Sequence, residues 1–432
     1  MCFRARVAPI AWLLMVGAAT ASPLSAQAAR RFPINDDESK VAPYTLPDPL
    51  ARSGAGRITT ADEWRRARRP ELLALFEREI YGKSPPRPTG MWFETMSADA
   101  RALDGRATRR QVRVHFLARQ SEPYMDVLLY VPNARRGKVP AFLALTYGNH
   151  QITSDTGVAI SPHFLRDNPL PDSALGRVAR GAAATRWPID TILARGYAFA
   201  AVYLGDLDPD SRNGVANGIR PWFMTRGQNE VSPDDWGALA SWGWGLSRAL
   251  DYLERDPDVD ARRVAIMGHS RTGKAALWAG ARDSRFAMVV ANESGMGGAK
   301  LSRRDFGQTV ADINNAFPYW FARNFRKYDD RERDLPVDQH ELIALIAPRP
   351  VYVAAATEDR WADPKGMFLA ERGAEPVYRL LGLRSFLPDS MPAVHTPTLD
   401  GPLGFHLRTG VHDVTDYDWA QFLAFADRHL RR

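Results

Sequence analysis

The stretch Val264-Ala-Ile-Met-Gly-His-Ser-Arg-Thr-Gly-Lys274 constrains this chain more than any other. An apolar run ends in Gly268, a serine follows at 270, and Gly273-Lys-Ala-Ala-Leu-Trp278 opens a helical pattern. A strand, a sharp turn and a helix with serine at the apex is the plan of a nucleophile elbow. The turn crowds the backbone around the serine, so small residues are needed beside it. Gly268 supplies one. The second glycine, usual two places after the serine, is Thr272 here, and glycine arrives at 273. A lone Gly-x-Ser is a common tripeptide. The strand before this one, the helix after it and a long helical segment upstream give it weight.

The rest of the chain alternates strands and helices. Thr60-Ala-Asp-Glu63 reads as a capping box, opening an amphipathic helix through Leu72, Leu73, Leu75, Phe76 and Ile80 that stops before Gly82. Gln111–Leu117 and Met125–Val131 alternate in polarity and suit an antiparallel pair at a sheet edge. Pro140–Tyr147 is apolar on both faces, as a central parallel strand is. Further runs follow at Tyr197–Leu204, Phe286–Ala291, Pro350–Ala356 and Leu403–Arg408, with helices at Leu239–Glu254 and Trp419–Leu430. Trp242 and Trp244 fall on helical spacings that fit core packing better than a sugar platform. Such alternation favours one doubly wound α/β domain with a mostly parallel sheet between helices. The expected division is 29–110 as a coil and helix wrapping the core and 111–432 as the catalytic domain. Residues 296–340, rich in arginine and aromatics, form an insertion over the active site.

The first 28 residues have a basic start (Arg4, Arg6), a mostly apolar run from Val7 to Ala21 and an Ala-x-Ala at Ala26–Ala28. That is the plan of a secretory signal peptide. A membrane anchor is the rival, but the run falls short of about 20 apolar residues. The only cysteine is Cys2, so the mature chain has no disulfide and no zinc site of the cysteine kind. The formal charge of +7 falls to +5 once Arg4 and Arg6 leave, and the arginines are scattered rather than gathered. Nothing here argues for nucleic acid. A secreted or periplasmic monomer with no membrane partner is expected.

A serine hydroxyl needs a histidine to take its proton, and the histidine needs a carboxylate to fix its tautomer. In the α/β-hydrolase fold the order is serine, acid, histidine, with the histidine after the last strand. His406 sits inside that strand pattern and His412 on the loop behind it, so His412 is the expected base. Two acids compete at strand ends, Asp359 and Glu293, with Asp363 a weaker rival; sequence physics leaves the choice open. The loop after Pro140–Tyr147, with Asn149 and His150, is where an oxyanion donor can sit.

With these residues in view the chain resembles the glucuronoyl esterases, carbohydrate esterase family 15. Their elbow is Gly-Cys-Ser-Arg-x-Gly-Lys, against Gly268-His-Ser-Arg-Thr-Gly-Lys274 here. The likeness continues through Asn292-Glu-Ser-Gly-Met-Gly-Gly298, Trp361-Ala-Asp-Pro364 and Gly410-Val-His-Asp413. His269 replaces a cysteine that forms a disulfide in fungal members, as a chain without mature cysteine requires. The resemblance implies Ser270 as nucleophile and His412 as base. Glu293 then matches the acid of fungal members, and Asp359 that of many bacterial ones. It implies Arg271 as an oxyanion partner and Lys274 and Trp361 as uronate-binding residues. Gln308 stands where a sugar-binding glutamate is expected in bacterial relatives, keeping an acceptor and losing a charge. The implied substrate is the ester between 4-O-methylglucuronic acid of glucuronoxylan and a lignin alcohol, with no metal or organic cofactor required. An acetyl esterase or serine peptidase of the same fold is the alternative, and a carbohydrate-binding pseudoenzyme the most distant one.

Overall fold

The computed structural model describes residues 34–52, 54, 56–118, 123–168, 180–223 and 232–431. The expected signal segment, 1–28, lies outside the described residues. Among the described residues nine strands form one sheet: β1 (Trp92–Ala102), β2 (Ala107–His115), β3 (Tyr124–Pro132), β4 (Val139–Thr146), β5 (Ala198–Tyr203), β6 (Val259–His269), β7 (Met288–Asn292), β8 (Val351–Ala356) and β9 (Leu403–Arg408). Their spatial order is β1-β2-β3-β5-β4-β6-β7-β8-β9. The pairs β1·β2, β2·β3 and β3·β5 are antiparallel, and every pair from β5·β4 to β8·β9 is parallel. This is the α/β-hydrolase architecture expected from the alternating pattern.

The parallel strands are buried along their whole length in β4, β5, β7, β8 and β9. Helices cover both faces, so neither face of a strand can be polar. Two hydrophobic cores result, one on each side of the sheet. Ala238–Leu253 is buried on all sides, with Trp242 and Trp244 in the core. Its first N–H groups would otherwise lack partners. The insertion supplies them: Tyr319 and Trp320 carbonyls accept from Ala238 (2.9 Å) and Leu239 (3.1 Å). Gly237 is required at that junction, because a Cβ there would lie 2.2 Å from the Trp320 oxygen.

The structure corrects one expectation. The pair at 111–117 and 125–131 is present as β2 and β3, but it does not form the sheet edge, because β1 pairs outside β2. The capping box at Thr60 is formed with Glu63, and helical structure continues over 61–81 with two π-helical stretches, Trp64–Arg68 and Glu77–Tyr81. Among the described residues no helix is long and apolar enough to cross a membrane.

Candidate active site

Parallel pairing brings the carboxyl ends of β4 to β9 to one end of the sheet, where α/β folds gather ligand-binding loops. The elbow follows β6, Glu293 follows β7, Asp359 follows β8 and His412 follows β9. Ser270 has φ 58° and ψ −124°, a conformation an L-residue adopts only when its surroundings enforce it. Its N–H donates to the Asn292 carbonyl at 2.9 Å, tying the turn to the next strand. A Cβ on Gly268 would meet the Thr272 oxygen at 2.1 Å, and one on Gly273 would lie 3.0 Å from the Gly268 oxygen. Helix and strand therefore touch at 268 and 273. Thr272 occupies the position where glycine is usual: its Oγ1 accepts from His269 N–H (2.9 Å) and donates to His269 C=O (2.8 Å).

The two competing acids both reach the same nitrogen. His412 Nδ1 is 2.6 Å from Asp359 Oδ2 and 3.0 Å from Glu293 Oε2. Carboxylates only accept, so Nδ1 carries the proton and Nε2 is left as the basic atom. Burial lowers the His412 pKa, but the hydrogen bonds and charges of Asp359 and Glu293 outweigh it and push it up to about 9. The two acids differ in their other partners. Glu293 Oε1 accepts from Arg408 Nη2 at 2.6 Å, and its Oε2 also accepts from Asp413 N–H at 3.0 Å. Burial pushes the Glu293 carboxyl up to about 7 against the pull of His412. Glu293 has φ 46°, a second left-handed residue at the site.

His269 packs its ring 4.4 Å from that of His412. Asn292 Nδ2 lies 2.9 Å from both His269 Nδ1 and the Asp413 carbonyl, so one amide joins the elbow to the loop bearing the base. Burial holds the His269 pKa well below the usual histidine value, so it is neutral. His269, Glu293 and His412 bring ligand-type atoms within 4.8 Å of one another. Among the described residues these three are the group that could approach a metal ion. Both Nδ1 atoms are already engaged, by Asn292 and by the acids, which organises the cluster for proton transfer.

Arg271 begins the elbow helix, Arg271–Arg282. Its guanidinium pairs through Nη1 with Asp210, on the loop after β5. It also lies 4.8 Å from the Trp320 ring, 5.2 Å from Phe317 and 5.8 Å from Tyr147. Asp210 in turn accepts from Tyr319 Oη (2.9 Å) and Trp320 Nε1 (2.8 Å). Burial opposes the Arg271 charge, yet Tyr147 and Asp210 raise its pKa overall. Its Nε is buried with no hydrogen-bond partner among the described residues. Lys274, one turn along the helix, is buried with Nζ on the Ser294 carbonyl and 5.9 Å from the Trp320 ring. Burial first and Arg271 second bring its pKa down to about 7, with Asp359 opposing.

Trp361 and Gln308 are brought together by a hydrogen bond from Gln308 N–H to the Trp361 carbonyl, 3.0 Å. The Trp361 turn adjoins Lys274: a Cβ on Gly295 would lie 3.3 Å from Ala362 Cα and 3.8 Å from Lys274 Nζ. Other candidates are engaged in contacts of their own. His406 is buried between Asp418 (2.8 Å) and Tyr352 (3.0 Å). Asp363 accepts from Gly366 N–H and Arg304, capping the helix Pro364–Leu380. Asn149 is bonded to Thr146 Oγ1 and the Asp126 carbonyl, which holds its loop closed. His150 packs edge-on against Phe164, and burial brings its pKa down to about 4. Sequence reasoning missed Asp210, Trp320, Asn292 and Arg408 as parts of the site. Asn292, Trp320 and Arg408 lay in segments it had singled out; Asp210 did not.

Comparison with known proteins agrees with this geometry. A family profile described as glucuronyl esterase, fungi, matches residues 231–382. The chain is 45% identical over 400 residues to carbohydrate esterase MZ0003 from an unknown prokaryotic organism, covering 92% of each chain. It is similar to the solved glucuronoyl esterase from Solibacter usitatus, with 47% identity and a TM-score of 0.86 over 91% of this chain and 100% of that one. It is also similar to a promiscuous esterase of carbohydrate esterase family 15 from a marine bacterial metagenome, with 44% identity and a TM-score of 0.84 over 92% and 100%. Likeness of this extent, across the elbow and every strand end that serves it, establishes that the chain belongs to carbohydrate esterase family 15, the glucuronoyl esterases, and is a carboxylic-ester hydrolase.

Proposed function

We propose that the enzyme hydrolyses the ester joining the carboxyl group of 4-O-methyl-D-glucuronic acid, a branch of glucuronoxylan, to a lignin alcohol. Ser270 Oγ attacks the ester carbonyl while His412 Nε2 takes its proton. Asp359 and Glu293 hold the resulting imidazolium. The oxyanion is met by Arg271 and by backbone N–H groups at the start of the elbow helix, where the helix dipole adds to them. His412 protonates the departing alcohol, leaving an ester between Ser270 and the uronate. The same histidine then activates water, and the uronic acid leaves.

The observation that carries this reading is the pair of cations following the serine. Arg271 presents an unpartnered Nε beside the elbow. Lys274 is a buried ammonium close to both Arg271 and Asp359. A buried charge without a full set of partners is costly, and a hydroxylated sugar ring supplies acceptors that complete it. An acetyl group offers only the carbonyl oxygen that becomes the oxyanion. Trp361 and Gln308 extend the same wall as further sugar contacts. The expected signal segment places the enzyme in the periplasm or outside the cell, which N-terminal sequencing of the exported protein tests.

The direct experiment compares kcat/KM on the methyl ester of glucuronic acid with that on p-nitrophenyl acetate. The uronate ester is expected to turn over with the higher value. Rapid acetate hydrolysis with none on the uronate ester would overturn the reading.

A further inference from the structure

Residues 34–40 lie as a strap against the two loops that carry Gln308 and Trp361. Asn35 Nδ2 donates to the Asp305 carbonyl at 2.6 Å, and the Asn35 carbonyl accepts from Gly307 N–H at 2.7 Å. The Glu38 carboxylate bridges the loops: one oxygen is on Arg304 Nη2, the other 2.5 Å from Lys365 Nζ. Arg360 and Asp36 add an ion pair at 3.6 Å. Arg304 is 3% exposed, and its Nε also reaches both oxygens of Asp363, at 3.0 and 3.1 Å. A guanidinium so buried needs its charge matched, and Glu38 is one of the two carboxylates that match it.

The layers beneath the strap leave no slack. Gly307 has φ 66°, and a Cβ there would lie 2.6 Å from the carbonyl oxygens of both Arg360 and Trp361. The next N–H, of Gln308, is the one bonded to the Trp361 carbonyl. A shift of residues 304–308 therefore moves Gln308 and Trp361 together. Asp359 stands at the start of the same turn, with Ala362 N–H on its carbonyl at 3.1 Å.

We infer that Asn35 and Glu38 are positioning residues for the sugar side of the site: the strap holds Gln308 and Trp361 in the register that binds a uronate. This rests on the function proposed above. The strap touches neither Ser270 nor His412, so it acts on binding of the sugar and not on the chemical step.

The test uses Asn35→Ala, Glu38→Gln and Glu38→Asp in the full chain, with kcat and KM measured on methyl glucuronate and on p-nitrophenyl acetate. Loss of a neutral hydrogen bond in Asn35→Ala, or of a charge-assisted one in Glu38→Gln, is expected to raise the uronate KM about three- to tenfold. Uronate kcat and acetate kcat/KM stay within about twofold, and Glu38→Asp, which keeps the charge, recovers much of the affinity. An unchanged uronate KM in both neutral variants would overturn the inference. So would equal losses on the two substrates, which mean that the strap supports the fold or the Asp359 turn alone. Absence of uronate turnover by the unsubstituted enzyme would overturn the functional reading, and the strap's role with it.

Discussion

Two carboxylates share one imidazole nitrogen, and replacing each in turn separates them. At an effective dielectric of about 20, a unit charge 2.6 Å from Nδ1 stabilises the imidazolium by about 6 kcal/mol, and one at 3.0 Å by about 5.5 kcal/mol. Distance alone hardly distinguishes them. What does is Arg408, 2.6 Å from Glu293 and paired with Asp418, which neutralises much of the Glu293 charge. Among the described residues Asp359 has no arginine bonded to it, and Lys274 acts on it only through its charge, so its charge acts on His412 with less compensation. Asp359→Asn is expected to lower kcat about 100-fold, the loss of a charged hydrogen bond of about 2 to 3 kcal/mol. The loss is smaller than for the sole acid of a simple triad, where removal costs about 10⁴, because Glu293 still holds the tautomer. Glu293→Gln is expected to cost about tenfold, and the double variant to fall well below either single one. The assay is steady-state kcat on methyl glucuronate, with circular dichroism to confirm folding. A larger loss from Glu293→Gln than from Asp359→Asn would refute the argument from Arg408. A single variant as inactive as the double would refute the sharing itself.

Other outcomes follow from the same geometry. His412 is effective only when neutral, and its acids hold its pKa up to about 9; acetate kcat/KM should therefore rise with pH toward that value, and Asp359→Asn should move the limb to lower pH. Lys274 loses its charge above about 7, so the ratio of uronate to acetate kcat/KM should fall from there upward; a ratio independent of pH would contradict a sugar contact by the ammonium. Asp210→Asn, which leaves Arg271 without its carboxylate, should lower kcat about tenfold on both substrates alike, since the oxyanion is common to them; an effect on the uronate alone would refute that assignment. Gly268→Ala drives a Cβ into the backbone of Thr272 at 2.1 Å and should destabilise the fold by about 4 kcal/mol or more, read as a fall in Tm.

Much of this architecture is legible in the chain because parallel strands covered on both faces must be apolar throughout. Pro140–Tyr147 and Pro350–Ala356 announce themselves for that reason, and each ends within a residue or two of its strand. β1, Trp92–Ala102, escapes because it lies at the edge: Thr95, Met96, Ala98, Ala100 and Arg101 are exposed and Glu94, Ser97 and Asp99 only half-buried, on a strand with one neighbour. The helix Pro364–Leu380 is obscured by Pro376 in its interior and by its many charges. At the site, residues following strand ends are found by their order, and so Ser270, Glu293, Asp359 and His412 are all recognisable. Their division of labour is not, because it depends on Arg408 reaching Glu293 across 115 positions. Asp210 is hidden for the same reason: only the folded chain places a loop after β5 against the first residue of the elbow helix. Elbow, acids and base can be read along the chain; the partners that tune them cannot.

The central claim is that the basic side chains behind Ser270 make this elbow a uronate esterase. Lys274→Met tests it most directly, because it keeps the buried stem and removes only the ammonium. The measurement is the ratio of kcat/KM on methyl glucuronate to that on p-nitrophenyl acetate, in the variant and in the unsubstituted enzyme. The account expects the ratio to fall about tenfold or more, the loss of one charged hydrogen bond, with acetate hydrolysis retained. An unchanged ratio, or equal loss on both esters, would contradict it.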